Sequence, residues 1–169
     1  MTEKNNRVII LNGTGGTGKD TFVNECNKLN YRVIHTSMIS DAKRVARYCG
    51  YKDTKSEKDR KFLSDIMDAM TAWNDLPYKY VCKFIFSCKN KIIFVDARTP
   101  SDIERLKNKF NAITVFIRNK RVKPINSNHA DRDVEDFVYD YIIENNGSIK
   151  TLKNSAIRFL TEIGEEIDN

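Results

Sequence analysis

Apolar residues occur along the chain in short continuous runs that alternate with longer amphipathic segments. The clearest runs are Val8–Leu11, Tyr31–Thr36, Lys91–Asp96, Ala112–Ile117 and Tyr141–Ile143. Short apolar runs bounded by glycine, proline or polar residues are typical of strands buried on both faces of a parallel sheet. The pattern therefore predicts five strands.

The segments between these runs have helical character. Helices are predicted over Lys19–Leu29, Asp41–Cys49, Ser56–Asn74, the segment after Pro77, Ser101–Phe110 and Ser148–Ile163. We expect Gly50 to end the second helix, and Ser101 to cap the fifth with Glu104 at its third helical position. Strands that alternate with helices predict an α/β fold of three layers, with a central parallel sheet covered by helices on both faces.

The long helix over Ser56–Asn74 carries an apolar stripe with the 3.6-residue period of an α-helix. Its members are Phe62, Leu63, Ile66, Met67, Met70 and Trp73. Such a stripe usually packs into the core, and we expect the same here. We assign residues 38–90, which include this helix, to an acceptor-side helical region.

The segment after the first strand has the sequence of a phosphate-binding loop. Gly13-Thr-Gly-Gly-Thr-Gly-Lys19 matches G-x-x-x-x-G-K, follows a predicted strand and opens a predicted helix, as the motif requires. Its glycines let backbone N–H groups point inward, and the helix N-terminus adds donors and a partial positive charge. Lys19 brings a catalytic ammonium to the β- and γ-phosphates. The predicted ATP-binding residues are Gly13, Thr14, Gly15, Gly16, Thr17, Gly18, Lys19, Asp20 and Thr21.

Two aspartates are candidate Mg²⁺ ligands. Asp20 stands where the motif normally has a Ser or Thr that binds Mg²⁺, and the hydroxyl comes one residue later at Thr21. A carboxylate beside a triphosphate is repelled unless a cation lies between them. We therefore expect Asp20 to contact Mg²⁺ directly or through water, with Thr21 at the α-phosphate. Asp96 ends an apolar strand, where P-loop enzymes hold Mg²⁺, although a turn aspartate is the alternative.

Several cationic residues follow the predicted strands. Arg98 should project from the carboxyl edge of the sheet, where it can clamp an acceptor phosphate with two hydrogen bonds, in a catalytic as well as a binding role. Ser37, Lys43 and Arg44 follow the second strand and are predicted to bind the acceptor. A solvated helix face is the alternative for Lys43 and Arg44.

A polar stretch over residues 118–133 follows the fourth strand and is predicted to form a short lid. Its arginines, Arg118, Arg121 and Arg132, can neutralise the charge of a phosphoryl-transfer transition state. For any one of them, an exposed position without a catalytic role is the alternative. His35 lies inside the second strand and is predicted to be a core residue.

The composition fits a soluble globular domain. The 169 residues are 40% hydrophobic and 31% charged, which fits a single domain over residues 1–169. The N-terminus lacks a signal-peptide pattern and no apolar run has the length of a membrane span, so we expect a cytoplasmic protein without membrane partners, either a monomer or a homodimer. The net charge of +6 is scattered, so a nucleic-acid partner is not expected. The sequence has no Asn-Lys-x-Asp guanine signature, which disfavours a GTPase.

Three segments resemble one known family. Gly18-Lys-Asp-Thr21 resembles the loop of phage-type deoxynucleoside monophosphate kinases, and animal-type phosphomevalonate kinases also have Asp after the lysine. Val95-Asp-Ala-Arg98 is similar to the family's Asp-x-Arg and lies where adenylate kinases have Asp-Gly-Phe-Pro-Arg. The stretch from Asn128-His-Ala-Asp131 through Tyr141–Ile143 to Asn145-Asn-Gly147 resembles the segment after the family's lid.

The resemblance implies a P-loop kinase fold with strand order 2-3-1-4-5, ATP and Mg²⁺ as cofactors, and a nucleoside or deoxynucleoside monophosphate as the acceptor. Arg98 and Arg44 then contact the acceptor phosphate, and Arg118 or Arg121 with Arg132 bridges donor and acceptor. The alternatives are a kinase for another phosphorylated metabolite, such as dephospho-coenzyme A, and a non-catalytic ATP-binding regulator.

Overall fold

The computed structural model describes residues 5–54, 56–123 and 137–168. The strands are β1 (Arg7–Asn12), β2 (Val33–Ser37), β3 (Ile92–Asp96), β4 (Ile113–Arg118) and β5 (Tyr141–Glu144). The helices are α1 (Lys19–Leu29), α2 (Ser40–Tyr48), α3 (Glu57–Asn74), α4 (Leu76–Ser87), α5 (Pro100–Phe110) and α6 (Ile149–Glu162). All strand pairs are parallel and the sheet order is β2-β3-β1-β4-β5, which confirms the predicted fold class and strand order.

The sheet divides the core into two layers, as the alternation of side chains along β1 shows. Ile9 and Leu11 face one side, where α1 and α6 cover them, and Val8 and Ile10 face the other, where α4 and α5 cover them. All four side chains are buried. Successive residues of a strand point to opposite faces, so one uninterrupted apolar run supplies both layers.

Three aromatic rings join α1 and α6 to the sheet. The ring centroid of Phe22 in α1 lies 6.2 Å from that of Phe94 in β3 and 5.7 Å from that of Phe159 in α6. All three side chains are fully buried. Burial of a phenylalanine side chain contributes about 2–3 kcal/mol, so this cluster holds the first helix firmly against the sheet.

The fifth helix begins one residue earlier than predicted. The side chain of Thr99 accepts a 3.2 Å hydrogen bond from the backbone N–H of Asp102, and Pro100 takes the first helical position. Proline suits that position because its missing N–H would have no partner there. The prediction that Ser101 caps this helix is therefore wrong, and Thr99 is the cap.

The apolar stripe of α3 is only partly covered, which corrects the prediction that it packs into the core. Leu63 is buried, but Trp73 is 85% exposed and the other members are half-buried. The reason is that α3 packs mainly against α2 and α4 instead of against the sheet. Within the residues that the structure describes, no helix combines the length and the apolarity needed to cross a membrane.

Candidate active site

The loop between β1 and α1 has a backbone that glycine alone adopts readily. The φ angles of Gly13, Gly16 and Gly18 are 144°, 91° and 96°. At Gly13, a Cβ atom would lie 2.5 Å from the carbonyl oxygen of Ile117 in β4. The glycine therefore permits both the turn and the close approach of the loop to the neighbouring strand.

The loop presents hydrogen-bond donors without acceptors. Across the described ranges, the backbone N–H groups of Gly15, Gly16, Gly18 and Thr21 have no acceptor on the protein. These groups surround the N-terminus of α1, where the helix dipole adds partial positive charge. A cradle of unsatisfied N–H groups at a helix N-terminus fits a phosphate group.

The Lys19 ammonium group lies against the same loop. Its Nζ donates to the carbonyl oxygen of Gly13 at 2.5 Å and is 3.4 Å from that of Thr14. The side chain thus folds back along the loop that it follows in sequence. This places a positive charge beside the unsatisfied N–H donors, so a bound phosphate could contact the ammonium group and the N–H groups together.

Two asparagines that sequence reasoning missed support the loop at its ends. The fully buried Asn12 accepts a 2.7 Å bond from the N–H of Gly13 and donates to the carbonyl oxygen of Arg98 at 3.2 Å and to the Tyr139 hydroxyl at 2.8 Å. The side-chain amide of Asn145 donates to the carbonyl oxygen of Thr17 at 2.8 Å. A polar residue that ends an otherwise apolar strand, such as Asn12, is the sequence signal that could have pointed to this role.

Three potential metal ligands converge beside the loop. Asp20, His35 and Asp96 each offer one ligand atom, and these atoms lie within 4.8 Å of one another. The Nε2 atom of His35 is 3.1 Å from Oδ2 of Asp96. The other carboxylate oxygen of Asp96, Oδ1, is buried and has no hydrogen-bond partner among the described residues. An unsatisfied buried carboxylate oxygen beside a second carboxylate fits a divalent cation such as Mg²⁺.

The register of the sheet explains why these residues meet. Asp96 at the end of β3 is level with Leu11 in β1 and Ser37 in β2. His35 lies two residues before Ser37 and so points to the same face, the one that α1 covers. Asp20 is in the first turn of that helix, and its carboxylate therefore lies close to the side chains of His35 in β2 and Asp96 in β3.

His35 is therefore not a core residue, which corrects the prediction. Its side chain is 28% exposed and faces the candidate metal site. Burial lowers the pKa of His35, but the hydrogen bond from the ring to Asp96 and the charge of that carboxylate outweigh burial. The pKa of His35 consequently lies above its ordinary value.

The predicted acceptor-binding residues lie in two places. Ser37 and Arg98 flank Asp96 at the carboxyl edge of the sheet, next to the loop. Lys43 pairs with Asp53 at 3.1 Å and Arg44 pairs with Asp41 at 3.0 Å, both on or next to α2. The structure thus brings Ser37 and Arg98 together with the loop and directs Arg44 into a groove between α2 and α4.

This α2–α4 groove is strongly basic. Its volume is about 630 Å³, and its charged lining residues are Asp41, Arg44, Arg47, Lys79 and Lys83. The side chains of Arg47, Lys79 and Lys83 form no ion pair with any residue in the described ranges. Tyr80 and Phe84 supply aromatic surface to the same groove. Uncompensated positive charge in a concave site attracts anions.

The predicted lid falls largely outside the described residues. Arg118 is the last residue of β4, and its guanidinium group lies 3.3 Å from the carboxylate of Glu144 at the end of β5. Arg121 is exposed in the turn that follows, where its backbone N–H bonds to Asn119. Arg132 and the rest of the 124–136 segment lie outside the described residues, so their predicted roles stay predictions.

The fold resembles those of two solved kinases. The chain matches a shikimate kinase from Aquifex aeolicus with a TM-score of 0.50 and 13% identity, over 93% of this chain and 99% of that one. It matches an unliganded sugar kinase from Janibacter sp. with the same score and identity, over 92% and 95% of the two chains. No protein-family model matches the sequence, and no curated protein sequence is significantly similar to it. At this identity the likeness shows the fold alone, which is a five-stranded parallel α/β fold of the P-loop type like that of the shikimate kinase.

Proposed function

We propose that this protein is an ATP-dependent phosphotransferase whose acceptor is a nucleoside or deoxynucleoside monophosphate. One observation carries the proposal: backbone N–H groups that have no acceptor within the described ranges lie beside Lys19 and the carboxylates of Asp20 and Asp96. These N–H groups belong to Gly15, Gly16, Gly18 and Thr21. This is the arrangement that a triphosphate with its cation needs, because donors meet the phosphate oxygens and carboxylates meet the cation.

On the donor side, the residues of the loop bind and orient the phosphates. The ammonium group of Lys19 exchanges the carbonyl oxygens of Gly13 and Thr14 for the β- and γ-phosphate oxygens. Asp20 and Asp96 would hold Mg²⁺, and the bound cation would neutralise the negative charge that shifts during transfer. Asn12 and Asn145 hold the loop in its binding conformation, so ATP binding requires little conformational change of the loop backbone.

On the acceptor side, the charges favour a substrate that already carries phosphate. Arg98 lies at the sheet edge, and the α2–α4 groove adds further cations. Three of these groove residues, Arg47, Lys79 and Lys83, form no ion pair within the part of the chain that the structure describes. A phosphate oxyanion attacks without first losing a proton, so positioning and charge neutralisation carry the catalysis.

The direct test is incubation with ATP and Mg²⁺ and a panel of acceptors, with ADP and product analysed by chromatography. The panel contains ribo- and deoxynucleoside monophosphates, dephospho-coenzyme A, shikimate and sugars, the last two because the two fold neighbours are described as kinases for them. We expect a nucleoside diphosphate as the product. If no monophosphate is phosphorylated, this version of the function is wrong.

The same panel separates the alternatives. Phosphorylation of dephospho-coenzyme A alone favours the kinase for another phosphorylated metabolite, which the basic groove supports equally well. ATP binding that depends on Lys19, without consumption of ATP in the presence of any acceptor, favours a nucleotide-binding regulator.

A charge-reversal pair tests the role of the groove. Lys83→Glu places a carboxylate in the groove, whereas Lys58→Glu makes the same change on an exposed position of α3 outside it. We expect Lys83→Glu to raise KM for the acceptor about tenfold with KM for ATP unchanged, because one like-charge contact costs about 1–2 kcal/mol near a surface. Equal effects of the two substitutions would mean that the groove does not bind the acceptor.

A further inference from the structure

We propose that His35 is a direct nitrogen ligand of the cation held by Asp20 and Asp96, and that it makes this site prefer a divalent first-row transition-metal ion over Mg²⁺. The inference concerns the metal site of the proposed function and rests on it. It adds a ligand that the P-loop motif does not contain, since the motif supplies only oxygen atoms from the loop and from the acid after the strand.

The spacing of the three side chains fits a common cation. Their ligand atoms lie within 4.8 Å of one another. Ligands on opposite sides of a cation with bonds of about 2.1 Å are about 4.2 Å apart. A small rotation of one side chain therefore brings all three ligand atoms within bonding distance of one cation. Asp20 and His35 are exposed enough to rotate in this way.

The hydrogen bond between His35 and Asp96 orients the imidazole toward the site. It joins Nε2 to Oδ2 at 3.1 Å and leaves Oδ1 of Asp96 buried without a hydrogen-bond partner in the described part of the chain. A buried carboxylate oxygen in that state carries a desolvation cost that a cation removes. The neutral ring that donates from Nε2 keeps its lone pair on Nδ1, and Nε2 itself becomes a ligand when the cation displaces its proton, which the neutral ring then carries on Nδ1.

The composition of the set determines which cation it favours. Mg²⁺ prefers oxygen ligands in near-octahedral geometry, whereas imidazole nitrogen binds first-row transition metals well. Two carboxylates with one imidazole thus accept Mg²⁺ but bind Mn²⁺ or Co²⁺ more tightly. The consequence for function is that activity with Mn²⁺ should exceed activity with Mg²⁺ at limiting metal.

The test is pulsed electron paramagnetic resonance of the intact protein loaded with Mn²⁺ alone, which detects a nitrogen nucleus bound to the metal. The sequence contains two histidines, His35 and His129, so each can be removed in turn. We expect nitrogen modulation in the wild type and in His129→Ala, and none in His35→Ala. Titration of Mn²⁺ against Mg²⁺ should show that His35→Ala reduces the preference for Mn²⁺ about tenfold or more.

Two results overturn the inference: nitrogen modulation that persists in His35→Ala, or wild-type protein that binds Mn²⁺ without nitrogen modulation or does not bind it. His35→Asn, which keeps a hydrogen-bond donor toward Asp96, guards against misfolding and should also lose the modulation. ATP affinity is measured separately with Mg²⁺. Normal ATP binding without nitrogen modulation contradicts only this inference, whereas absent ATP binding contradicts the proposed function.

Discussion

The side-chain amide of Asn145 donates a 2.8 Å hydrogen bond to the backbone carbonyl oxygen of Thr17. The backbone N–H of the same asparagine bonds to the carbonyl oxygen of Arg118 at 2.7 Å. One residue thus connects the phosphate-binding loop to the ends of β4 and β5, far along the chain from the loop. The shape of the loop therefore depends on the far edge of the sheet.

Asn145→Ala should weaken ATP binding, because the phosphate-binding loop loses the hydrogen bond between Asn145 and Thr17. Loss of one neutral hydrogen bond costs about 1 kcal/mol, so we expect ATP affinity to fall about fivefold, as measured by calorimetry. The control is Asn146→Ala, whose amide bonds to Glu144 and to the backbone N–H of Lys120, outside the loop. If both substitutions change ATP affinity equally, Asn145 has no special role in holding the loop.

Gly18→Ala should affect ATP binding through both backbone strain and a clash. Gly18 has a φ of 96°, and a Cβ atom there would meet the side-chain nitrogen of Asn145. Gly50→Ala is the matched control, because Gly50 has a φ of 85° with open space around it. Strain alone should cost about 1 kcal/mol of unfolding free energy at each position. Only Gly18→Ala should also reduce ATP affinity, about tenfold or more, and an equal reduction by Gly50→Ala would contradict the assignment.

Asp140 should stabilise the protein at neutral pH and lose this contribution in acid. Burial raises the pKa of Asp140, but hydrogen bonds from Lys107 at 2.8 Å and from the backbone and hydroxyl of Thr114 outweigh burial and hold the pKa below its ordinary value. A carboxyl group with a depressed pKa in the folded state adds stability above its unfolded pKa, and this is lost as the pH falls through the folded pKa.

The measurement is urea unfolding of the wild type and Asp140→Asn in a pH series from 7 down to about 3. We expect Asp140→Asn to have the lower midpoint at pH 7, with the gap narrowing as the pH falls. Asp65→Asn, at an exposed carboxylate that pairs with Lys61, should show little difference at any pH. A gap that stays constant in acid would show that the charge of Asp140 is not the cause.

Glu165 should contribute to the free energy of unfolding but not to ATP affinity at the candidate active site. Its carboxylate is 5% exposed and lies 2.7 Å from Nε of Arg7 and 2.6 Å from the guanidinium group of Arg32, which is itself 9% exposed. Glu165→Ala leaves the Arg32 charge buried without this partner and should cost about 3 kcal/mol of unfolding free energy. Glu166→Ala, at an exposed neighbour, should cost little. ATP affinity of the folded Glu165→Ala protein should match the wild type, and a loss would mean that this ion pair also shapes the loop.

The strands and the phosphate-binding loop could be predicted because each depends on local signals, whereas the order of the strands followed only from the resemblance to a known family. The apolar runs identify strands that are buried on both faces, and the glycines with Lys19 have one fixed spacing. The cap of α5 also has a local signal, because a hydroxyl residue directly before Pro100 favours Thr99 over Ser101 as the N-cap.

The metal site could be predicted only in part because it depends on register. Asp20 and Asp96 follow from the motif and the strand end, but nothing in the sequence around His35 shows that it faces the N-terminus of α1. That contact arises because β2 pairs with β3 so that Ser37 is level with Asp96. In the same way, the periodicity of α3 indicates an apolar face but not that Trp73 stays uncovered.

The most direct test of the account is calorimetric titration of the protein with ATP in the presence of Mg²⁺, for the wild type, Lys19→Ala and Lys89→Ala. Lys89 is an exposed lysine after α4 and controls for the loss of one positive charge. We predict one ATP per chain for the wild type and for Lys89→Ala, and about 10- to 100-fold weaker binding for Lys19→Ala, since a hydrogen bond to a charged group contributes about 1.5–3 kcal/mol. No binding by the wild type, or equal binding by Lys19→Ala, would contradict the central claim that this loop holds a triphosphate.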